Sequence, residues 1–362
     1  MRRAVIARRT RDWTPHSRLF VVQEGADWVL AYEAAQLRKL AEGMGVRVGP
    51  ESWAGGVAGQ SIFHESQFTL LLNDFERRGN RLGVAYFHGR PGTAGFPEFD
   101  ACFETLRRRH QDVDRIQVTN AAMEEVVLET GVAPEKLHRI PIGIDVGAFT
   151  PPTPEARGAA RREFGLPEHA FVVGSFQKDG VGWGEGLEPK LIKGPDVLLA
   201  AAERLRDAVP ELWFLLTGPS RGYVSAGLDR LAIPYRHRFL PATNAVVSAY
   251  HAIDLCIVAS REEGGPKAVL ESMATGIPLV TTRVGQARDL VRHEVDGFVV
   301  DVEDVDGLVR WATHVAEAPA AELERMRAAG LETAYENSYP ALRPRWRALL
   351  DGFVSFSDPG RA

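Results

Sequence analysis

Residues Ile257–Val299 read IVASREEGGPKAVLESMATGIPLVTTRVGQARDLVRHEVDGFV and contain the clearest structural pattern in the chain. The segment Ala252–Ala259 (AIDLCIVA) leads into this run and has the apolar composition of a strand that is buried on both faces. A glycine-rich loop, a helix over Lys267–Thr275 and a second strand over Ile277–Thr281 follow. We therefore predict one βαβ unit of a parallel sheet.

The loop between the first strand and the helix is suited to contact a ligand. Gly264 and Gly265 let the backbone come close to a bound molecule, and Pro266 suits the first helical position, where its missing N–H is not needed. Gly276 is favourable just after the end of the helix. Ligands of open α/β sheets bind outside the carboxyl ends of strands, and Ser260–Pro266 is expected there.

Two glutamates, Glu263 and Glu271, lie eight positions apart around this loop and helix start. Amides at a helix N-terminus attract phosphate, and carboxylates accept hydrogen bonds from hydroxyl groups. The combination is typical of a site for a phosphorylated, hydroxyl-rich ligand. Taken alone, the spacing of the two glutamates could also arise by chance. Lys267 and Glu271 also have the i,i+4 spacing of a surface ion pair, which is worth about 0.3 kcal/mol.

The ordered string resembles the donor-site motif of the retaining GT-B glycosyltransferases of family 4. That motif has a glutamate, seven residues and a second glutamate, with Gly-x-Pro inside and a small-residue Gly-x-Pro strand after it. This chain has Glu263, Gly264-Gly265-Pro266, Glu271 and the segment Ala274–Pro278. The resemblance implies an α/β protein of two Rossmann-like doubly wound domains that face a cleft.

The same resemblance implies roles for these residues in binding a nucleotide-diphosphate sugar. Glu271 is expected to hold the ribose hydroxyls, and Glu263, a catalytic candidate, to face the transferred sugar. The amides of Gly264, Gly265 and Lys267, around Pro266, are expected to contact the sugar and the diphosphate.

A lysine is predicted to stabilise the leaving diphosphate. Lys193-Gly194 precedes the amphipathic segment Pro195–Val209 and resembles the Lys-Gly of the family at that place. A lysine there acts as a point charge on the phosphate. We therefore count Lys193 with the catalytic candidates.

One feature of the family is missing. Its members usually place an arginine just after the first strand of the second domain, whereas this chain reads GSFQK over residues 174–178. We predict Lys178 as the substitute in donor binding; Ser175 and Gln177 are alternatives, and a solvated loop lysine is another interpretation. The glycine-rich insertion Asp179–Leu191 is expected to order over the donor phosphates.

Two histidines and an arginine are candidates in the first half of the chain. His88 ends the segment LGVAYFH and matches the family position where a histidine points into the interdomain cleft near the transferred sugar. It is a catalytic candidate, although a histidine at a strand end is often structural. His64, in IFHESQF, and Arg90 are weaker candidates for the acceptor side.

The loop after the first strand supplies the remaining acceptor-side candidates. Family members often have glycines here so that the acceptor and the diphosphate can approach, and this chain retains Gly25 alone. We keep Gly25, Asp27 and Trp28 as candidates; packing within the domain is the alternative for Trp28.

Composition limits the class of protein. A chain of 362 residues with a formal net charge of −5 favours two domains and gives no reason to expect nucleic-acid binding. Cys102 and Cys256 cannot form a disulfide framework. No apolar run reaches the roughly 20 residues needed to span a bilayer, and the start MRRAVIARR lacks the apolar core of a signal peptide. We expect a cytoplasmic protein; peripheral contact with the inner membrane face, to which Arg107–Arg109 is a hint, is the alternative.

A metal-dependent site is not expected. The pairs Asp112/Asp114 and Asp304/Asp306 have the Asp-x-Asp spacing of the rival metal-dependent glycosyltransferase fold, but neither ends an apolar strand. We interpret both as solvated turns. There is also no His/Cys cluster at metal-ligand spacing and no phosphate-binding P-loop.

Alternating strand-like and helix-like segments run through both halves of the chain. The proline-rich Phe149–Glu155 is predicted as the interdomain linker, and the tail Tyr339–Phe356 carries apolar residues at helical spacing. We predict domains over 1–150 for the acceptor and 151–338 for the donor. In the GT-B fold the last helix crosses back to the N-terminal domain, and the resemblance implies this for 339–362; a helix that caps its own domain is the alternative.

The predicted activity is that of a hexosyltransferase-like retaining glycosyltransferase, independent of metals and cofactors. Its partners are a nucleotide-diphosphate sugar and a hydroxyl-bearing acceptor, which is a glycan, a lipid carrier or a natural product. A GT-B nucleotide-sugar epimerase or a sugar phosphorylase is one alternative. A catalytically degenerate nucleotide-sugar-binding protein is another, and the missing arginine is the feature that favours it. The sequence does not indicate the oligomeric state.

Overall fold

A computed structural model describes residues 14–25, 29–240 and 245–357. The chain divides into two compact units. The first unit consists of Met1–Ile142 together with Tyr339–Ala362, and the second is Gly143–Ser338.

The first unit contains a parallel sheet of six strands among its described residues, in the order β2-β1-β3-β4-β5-β6. Apolar residues of the central strands β1, β3 and β4 are buried from both sides, as the βαβ pattern predicts. The strands are β1 Arg18–Val22, β2 Arg47–Val48, β3 Ser61–His64, β4 Arg81–Ala85, β5 Arg115–Val118 and β6 Leu137–Arg139.

Helices cover both faces of this sheet. Leu30, Ala34 and Leu37 of α1 pack on one face, and Leu70 and Leu71 of α2 pack on the other. The connections are therefore doubly wound. The helices are α1 Val29–Gly43, α2 Gln67–Leu71, α3 Pro97–Arg109 and α4 Ala121–Leu128.

The second unit has six parallel strands in its described part, in the order β12-β11-β10-β7-β8-β9. The four central strands and the edge strand β12 are apolar, while the other edge strand, β9, is polar. The strands are β7 Phe171–Phe176, β8 Leu212–Thr217, β9 Tyr235–Arg238, β10 Leu255–Val258, β11 Leu279–Thr282 and β12 Phe298–Val300.

Two apolar clusters cover the two faces of this second sheet. Leu198 and Leu205 of α6 and Trp311 of α11 pack on one face, and Phe164 of α5 and Leu270 of α9 pack on the other. The helices are α5 Pro154–Phe164, α6 Pro195–Ala208, α7 Gly222–Arg230, α8 Val246–Ala252, α9 Lys267–Ala274, α10 Ala287–Leu290, α11 Val305–Glu317 and α12 Ala320–Glu336.

The last helix, α13 Tyr339–Leu350, belongs to the first unit. Leu342, Trp346 and Leu349 pack into the same apolar cluster as α1. The Tyr339 hydroxyl donates a hydrogen bond to Glu33 Oε1 at 2.6 Å. The last described residues of the chain therefore complete the core that its first residues begin.

The predicted fold class, two Rossmann-like doubly wound α/β units, is confirmed. Two local expectations differ from the structure. The predicted linker Phe149–Glu155 runs into α5, because Pro154 occupies the start of a helix and the Thr153 hydroxyl accepts a hydrogen bond from the Ala156 amide at 3.2 Å. The units also divide after Ile142, since Ile144 and Phe149 pack into the core of the second unit.

Candidate functional site

The strand order of the second unit predicts a crevice between the ends of β7 and β10. From β7 the chain continues to β8 on one side, and later returns to β10 on the other side. At such a reversal the loops that follow the two strands separate and leave room for a ligand. Gln177 follows β7 and Ser260 lies just beyond β10, so both lie at this point.

An ion pair between Lys193 and Glu263 lies at this crevice. Lys193 Nζ is 2.6 Å from Glu263 Oε2, and the two side chains are 19% and 9% exposed. The sequence separates these residues by 70 positions. The structure thus brings together the two residues that were predicted as catalytic in this half of the chain.

Hydrogen bonds hold both partners of the pair. The Ser260 hydroxyl donates to Glu263 Oε1 at 2.9 Å, and Gln177 Nε2 donates to the Lys193 carbonyl oxygen at 2.8 Å. Thr282 Oγ1, at the end of β11, donates to the Ser260 carbonyl oxygen at 2.6 Å. A mostly buried ion pair is stable only when such bonds offset its lost hydration. Ser260 and Thr282 were not predicted, because the motif does not include them.

Gly194 allows Lys193 to reach this position. It has a φ of +62°, and a Cβ on it would lie 1.9 Å from the Ala259 carbonyl oxygen. The turn that carries Lys193 therefore packs directly on the end of β10. Arg261 strengthens the junction, since its guanidinium makes two 2.7 Å hydrogen bonds to the carboxylate of Asp196 in the first turn of α6.

The glycine loop leads directly into α9. Pro266 is the residue before the helix, with Lys267 as the first helical residue, so the proline lies one position earlier than predicted. Gly276 follows the helix with a φ of +67°, as predicted. Gly285 packs closely against the backbone of this loop. A Cβ there would lie 2.7 Å from the Glu263 carbonyl oxygen and 2.8 Å from that of Gly264.

Glu271 lies in the middle of α9 and is mostly buried. Its residue exposure is 6%, and its Oε2 accepts a hydrogen bond from the Tyr250 hydroxyl at 3.0 Å. Glu271 is therefore a buried carboxylate rather than one on an open surface. Tyr250 carried no signal in the sequence, because it reaches Glu271 from another helix.

Lys178 lies between β7 and the insertion Asp179–Leu191. Its ammonium is 4.1 Å from the centroid of the Trp183 ring, a cation–π contact. Partial burial lowers the pKa of Lys178. The indole of Trp183 is itself exposed, at 62%.

A buried arginine, Arg221, contacts the end of β7, close to where the family arginine was expected. Its Nη1 donates to the carbonyl oxygens of Ser175, at 2.6 Å, and Thr217, at 2.8 Å. Its Nε lies 2.9 Å from Asp179 Oδ1, although this contact is not aligned as a hydrogen bond. Burial lowers the pKa of Arg221 and raises that of Asp179, and each charge opposes the shift of the other. The guanidinium anchors the insertion and does not reach its surface.

The insertion forms a short hairpin that docks on the start of α7. Gly180 and Pro189 make an antiparallel bridge, and the Ser220 hydroxyl donates to the Gly182 carbonyl oxygen at 3.0 Å. The amide of Gly222 donates to the Glu185 carbonyl oxygen at 2.8 Å. The insertion is therefore an ordered hairpin, and its predicted place over donor phosphates stays a prediction.

In the first unit, His88 follows β4. The Gln67 side chain holds its backbone, accepting from the His88 amide at 2.9 Å and donating to the His88 carbonyl oxygen at 2.7 Å. The imidazole stacks on Phe68 with ring centroids 5.7 Å apart. Gly89 must be a glycine, since it has a φ of +71° and a Cβ would lie 2.0 Å from the Phe99 ring.

His64 ends β3 and Glu65 follows it, and both side chains are desolvated. Burial lowers the pKa of His64 to about 4, and its Nδ1 lies 3.0 Å from Thr69 Oγ1. His64 is thus a neutral hydrogen-bonding group near pH 7. Glu65 was not predicted; burial, with the charge of Glu33 second, raises its pKa to about 8.

The other acceptor-side candidates give less information. Arg90 and Gly25 are exposed. Asp27 and Trp28 lie outside the described residues.

The Asp-x-Asp pairs take part in local structure. Asp304 accepts a hydrogen bond from the Gly307 amide at 2.8 Å and so caps α11, and Asp306 pairs with Arg204. Asp114 pairs with Arg77 at 2.5 Å. Cys102 and Cys256 are buried free thiols. Within the described ranges, no helix is both long and apolar enough to cross a bilayer.

Comparison with known proteins finds a family match inside the second unit. Residues 187–332 match the family Glycosyl transferases group 1. A D-inositol 3-phosphate glycosyltransferase of Segniliparus rotundus is 27% identical over 327 residues, covering 85% of this chain and 67% of that protein. The protein of that name from Salinispora arenicola is 34% identical over 191 residues, covering 47% of this chain and 40% of its own length. The chain thus spans only part of the curated relatives.

Solved structures match almost the whole chain. HepE of Anabaena in complex with UDP superposes with a TM-score of 0.71 at 15% identity, covering 93% of this chain and 100% of that one. Sucrose-phosphate synthase of Thermosynechococcus elongatus superposes with a TM-score of 0.65 at 16% identity, covering 92% and 98%. Such low identity establishes the fold and nothing further.

The two doubly wound units have the GT-B fold of these solved structures. The match over residues 187–332 and the similarity to named glycosyltransferases bear out the predicted resemblance in the second unit. The roles of the individual site residues stay predictions.

Proposed function

We propose that this chain is a retaining, metal-independent glycosyltransferase that moves a sugar from a nucleotide-diphosphate sugar to an acceptor hydroxyl. The observation that carries the proposal is the Lys193–Glu263 ion pair, with its 2.6 Å contact, at the crevice between β7 and β10. A cation for the diphosphate and a carboxylate for the sugar thus lie side by side, next to the glycine loop and the start of α9.

In the proposed reaction the protein positions the donor and stabilises charge. Lys193 contacts the leaving diphosphate, and the N-terminus of α9 adds its partial positive charge. Glu263 accepts a hydrogen bond from the transferred sugar, and Glu271 accepts hydrogen bonds from the ribose. A diphosphate oxygen takes the proton of the acceptor hydroxyl, which attacks from the face that the diphosphate leaves. This scheme needs positioning rather than a strong base.

His88 and Lys178 are assigned supporting roles. Lys178 adds positive charge near the diphosphate in place of the family arginine. His88, whose backbone is held on both sides by Gln67, hydrogen-bonds a hydroxyl of the transferred sugar. Both roles come from the family resemblance; His88 belongs to the first unit and Lys178 to the second.

The acceptor is proposed to be a hydroxyl-bearing molecule: a glycan, a lipid carrier or a natural product. The two relatives described above are named D-inositol 3-phosphate glycosyltransferases, so this inositol phosphate is the first acceptor to test.

The first test is donor binding. UDP, GDP and ADP are titrated into the protein by calorimetry, and at least one is expected to bind with a Kd in the micromolar range. Lys193→Ala and Glu263→Ala are expected to weaken binding of the matching nucleotide-sugar at least tenfold, because each removes one partner of the site. Lys39→Ala, which removes an exposed lysine of α1, is the control and keeps wild-type affinity.

A turnover assay then distinguishes a glycosyltransferase from the alternative activities. Acceptor-dependent release of nucleoside diphosphate, unchanged by EDTA and with the donor anomer retained by NMR, is the expected result. An epimerised nucleotide-sugar without acceptor indicates an epimerase, phosphate-dependent cleavage indicates a phosphorylase, and binding without turnover indicates a degenerate protein. Full donor binding and turnover by Glu263→Ala would show that the donor site is assigned to the wrong residues.

A further inference from the structure

A tyrosine outside the motif contacts one of its two glutamates. Tyr250, on α8, has 0% exposure, and its hydroxyl donates a hydrogen bond to Glu271 Oε2 at 3.0 Å. Glu271, on α9, is 6% exposed. The bond joins two helices of the same unit, so it is a tertiary contact that fixes one oxygen of a carboxylate at the predicted ribose position.

The ring of Tyr250 is held rigidly. Phe176, the last residue of β7, meets it edge-on, with ring centroids 4.8 Å apart and planes at 87°. Phe149 makes a second edge-on contact at 6.3 Å. A rigid ring places its hydroxyl at one point, and Phe176 links that point to the strand that leads to Gln177.

A buried carboxylate needs such a donor. Removing a charged group from water is costly unless hydrogen bonds replace its hydration, and a fixed donor also limits the rotamers that the side chain can adopt. Burial, followed by the charge of Glu271, raises the pKa of Tyr250 well above its ordinary value. The hydroxyl therefore keeps its proton at any physiological pH and remains a donor.

We propose that Tyr250 is a positioning residue for the nucleotide: its hydroxyl fixes Glu271 in the orientation in which the carboxylate accepts hydrogen bonds from the ribose. This inference rests on the proposed function, in which Glu271 binds the ribose of the donor. It adds a specificity determinant, since a carboxylate fixed in one orientation distinguishes a ribonucleotide from a 2′-deoxyribonucleotide.

The test compares ribose and deoxyribose nucleotides in the full chain. The nucleoside diphosphate that binds best among UDP, GDP and ADP is titrated beside its 2′-deoxy form by calorimetry, into wild type and Tyr250→Phe. Wild type is expected to prefer the ribonucleotide at least tenfold. In Tyr250→Phe, which keeps the aromatic packing, the preference is expected to fall to about threefold or less, because the ribonucleotide loses affinity and the deoxy form does not.

Two further variants separate positioning from general stability. Tyr235→Phe removes an exposed hydroxyl 3.3 Å from Asp229 and is expected to keep the wild-type preference. Glu271→Asp shortens the carboxylate out of reach of Tyr250 and is expected to lose the preference, which keeps the inference testable should Tyr250→Phe fold poorly.

The possible failures are distinguishable. If no nucleoside diphosphate binds wild type, the proposed function fails. If one binds and Tyr250→Phe or Glu271→Asp keeps the full ribose preference, the inference about Tyr250 is wrong while the function stands. Equal weakening of both nucleotides also overturns the inference, since it indicates a merely structural role.

Discussion

Glu65 is the residue whose ionisation has the clearest energetic consequence. It is 3% exposed, and its Oε2 has no hydrogen-bond partner in the part of the chain that the structure describes. Burial and the charge of Glu33 raise its pKa from 4.5 to about 8, against an opposing effect of Arg38. Between pH 4.5 and about 8, Glu65 is therefore a neutral carboxyl group in the folded protein and a carboxylate in the unfolded chain.

This shift predicts a loss of stability as the pH rises. Below pH 4.5 both states are protonated and the contribution of Glu65 is complete; between about 4.5 and 8 only the unfolded state loses its proton, so stability falls. The slope is at most about 1.4 kcal/mol per pH unit. Glu65→Gln, which does not titrate, is expected to flatten the decline, measured as the free energy of unfolding of the first unit in urea at pH 5.5 and 7.5.

The exposed Glu104 supplies the matched control. Glu104→Gln removes a carboxylate that pairs with Arg107 on the surface and is expected to leave the pH profile parallel to wild type. Parallel profiles for Glu65→Gln as well would contradict the assigned protonation of Glu65.

At the residue scale, the sequence singles out candidates where the chain carries an ordered motif. Glu263, Glu271 and Lys193 were singled out because their spacing around glycines is specific. Ser260 and Tyr250 were missed, since a serine after a strand and a tyrosine in a helix have no distinctive pattern. Their contacts depend on which elements meet in space.

At the scale of elements, the junction between the Lys193 turn and α6 controls the site. Gly194→Ala is expected to destabilise the second unit by more than about 2 kcal/mol, because the new Cβ would lie 1.9 Å from the Ala259 carbonyl oxygen and φ is +62°. The displaced turn is also expected to weaken nucleotide binding. Urea unfolding and calorimetry measure the two effects.

A substitution at Gly182 shows how much of the effect of Gly194→Ala comes from backbone strain and how much from the collision with Ala259. Gly182 has a φ of +72° with nothing within 4 Å of an added Cβ, and it belongs to the same unit. Gly182→Ala is expected to cost about 1 kcal/mol, from backbone strain alone. Similar costs for the two variants would show that contact with Ala259 is unimportant.

Whether the sequence predicts a strand depends on how apolar the residues of that strand are. The central strands were predicted because their apolar runs are buried on both faces, whereas β9 (YRHR) is an exposed edge strand whose polar residues gave no signal. The proline-rich Phe149–Glu155 predicts a linker, whereas Pro154 begins α5, because the first helical position accepts proline.

At the scale of the molecule, the first unit is built from both ends of the chain. Trp346 of α13 is 6% exposed and meets Phe63 of β3 edge-on, with ring centroids 5.8 Å apart. Trp346→Ala is expected to destabilise the first unit by about 3–5 kcal/mol, because a large cavity opens in its core. Calorimetric unfolding should show the transition of the first unit moving down while that of the second stays.

An exposed tryptophan is the comparison. Trp183 is 62% exposed on the hairpin of the second unit, so Trp183→Ala is expected to change stability by less than about 1 kcal/mol. A loss of stability in the second unit on Trp346→Ala would contradict the division of the chain into these units.

The sequence by itself determined the α/β class, the doubly wound pattern and the motif with Glu263 and Glu271, because burial periodicity and glycine-bounded loops are local properties. Tertiary structure alone decided that Lys193 pairs with Glu263 across 70 positions, that Tyr250 holds Glu271, and that Arg221 lies buried below the loop where an arginine was expected. The physical reason is that hydrogen bonds and ion pairs form between elements according to strand order and packing, and no local pattern along the chain encodes which elements become neighbours.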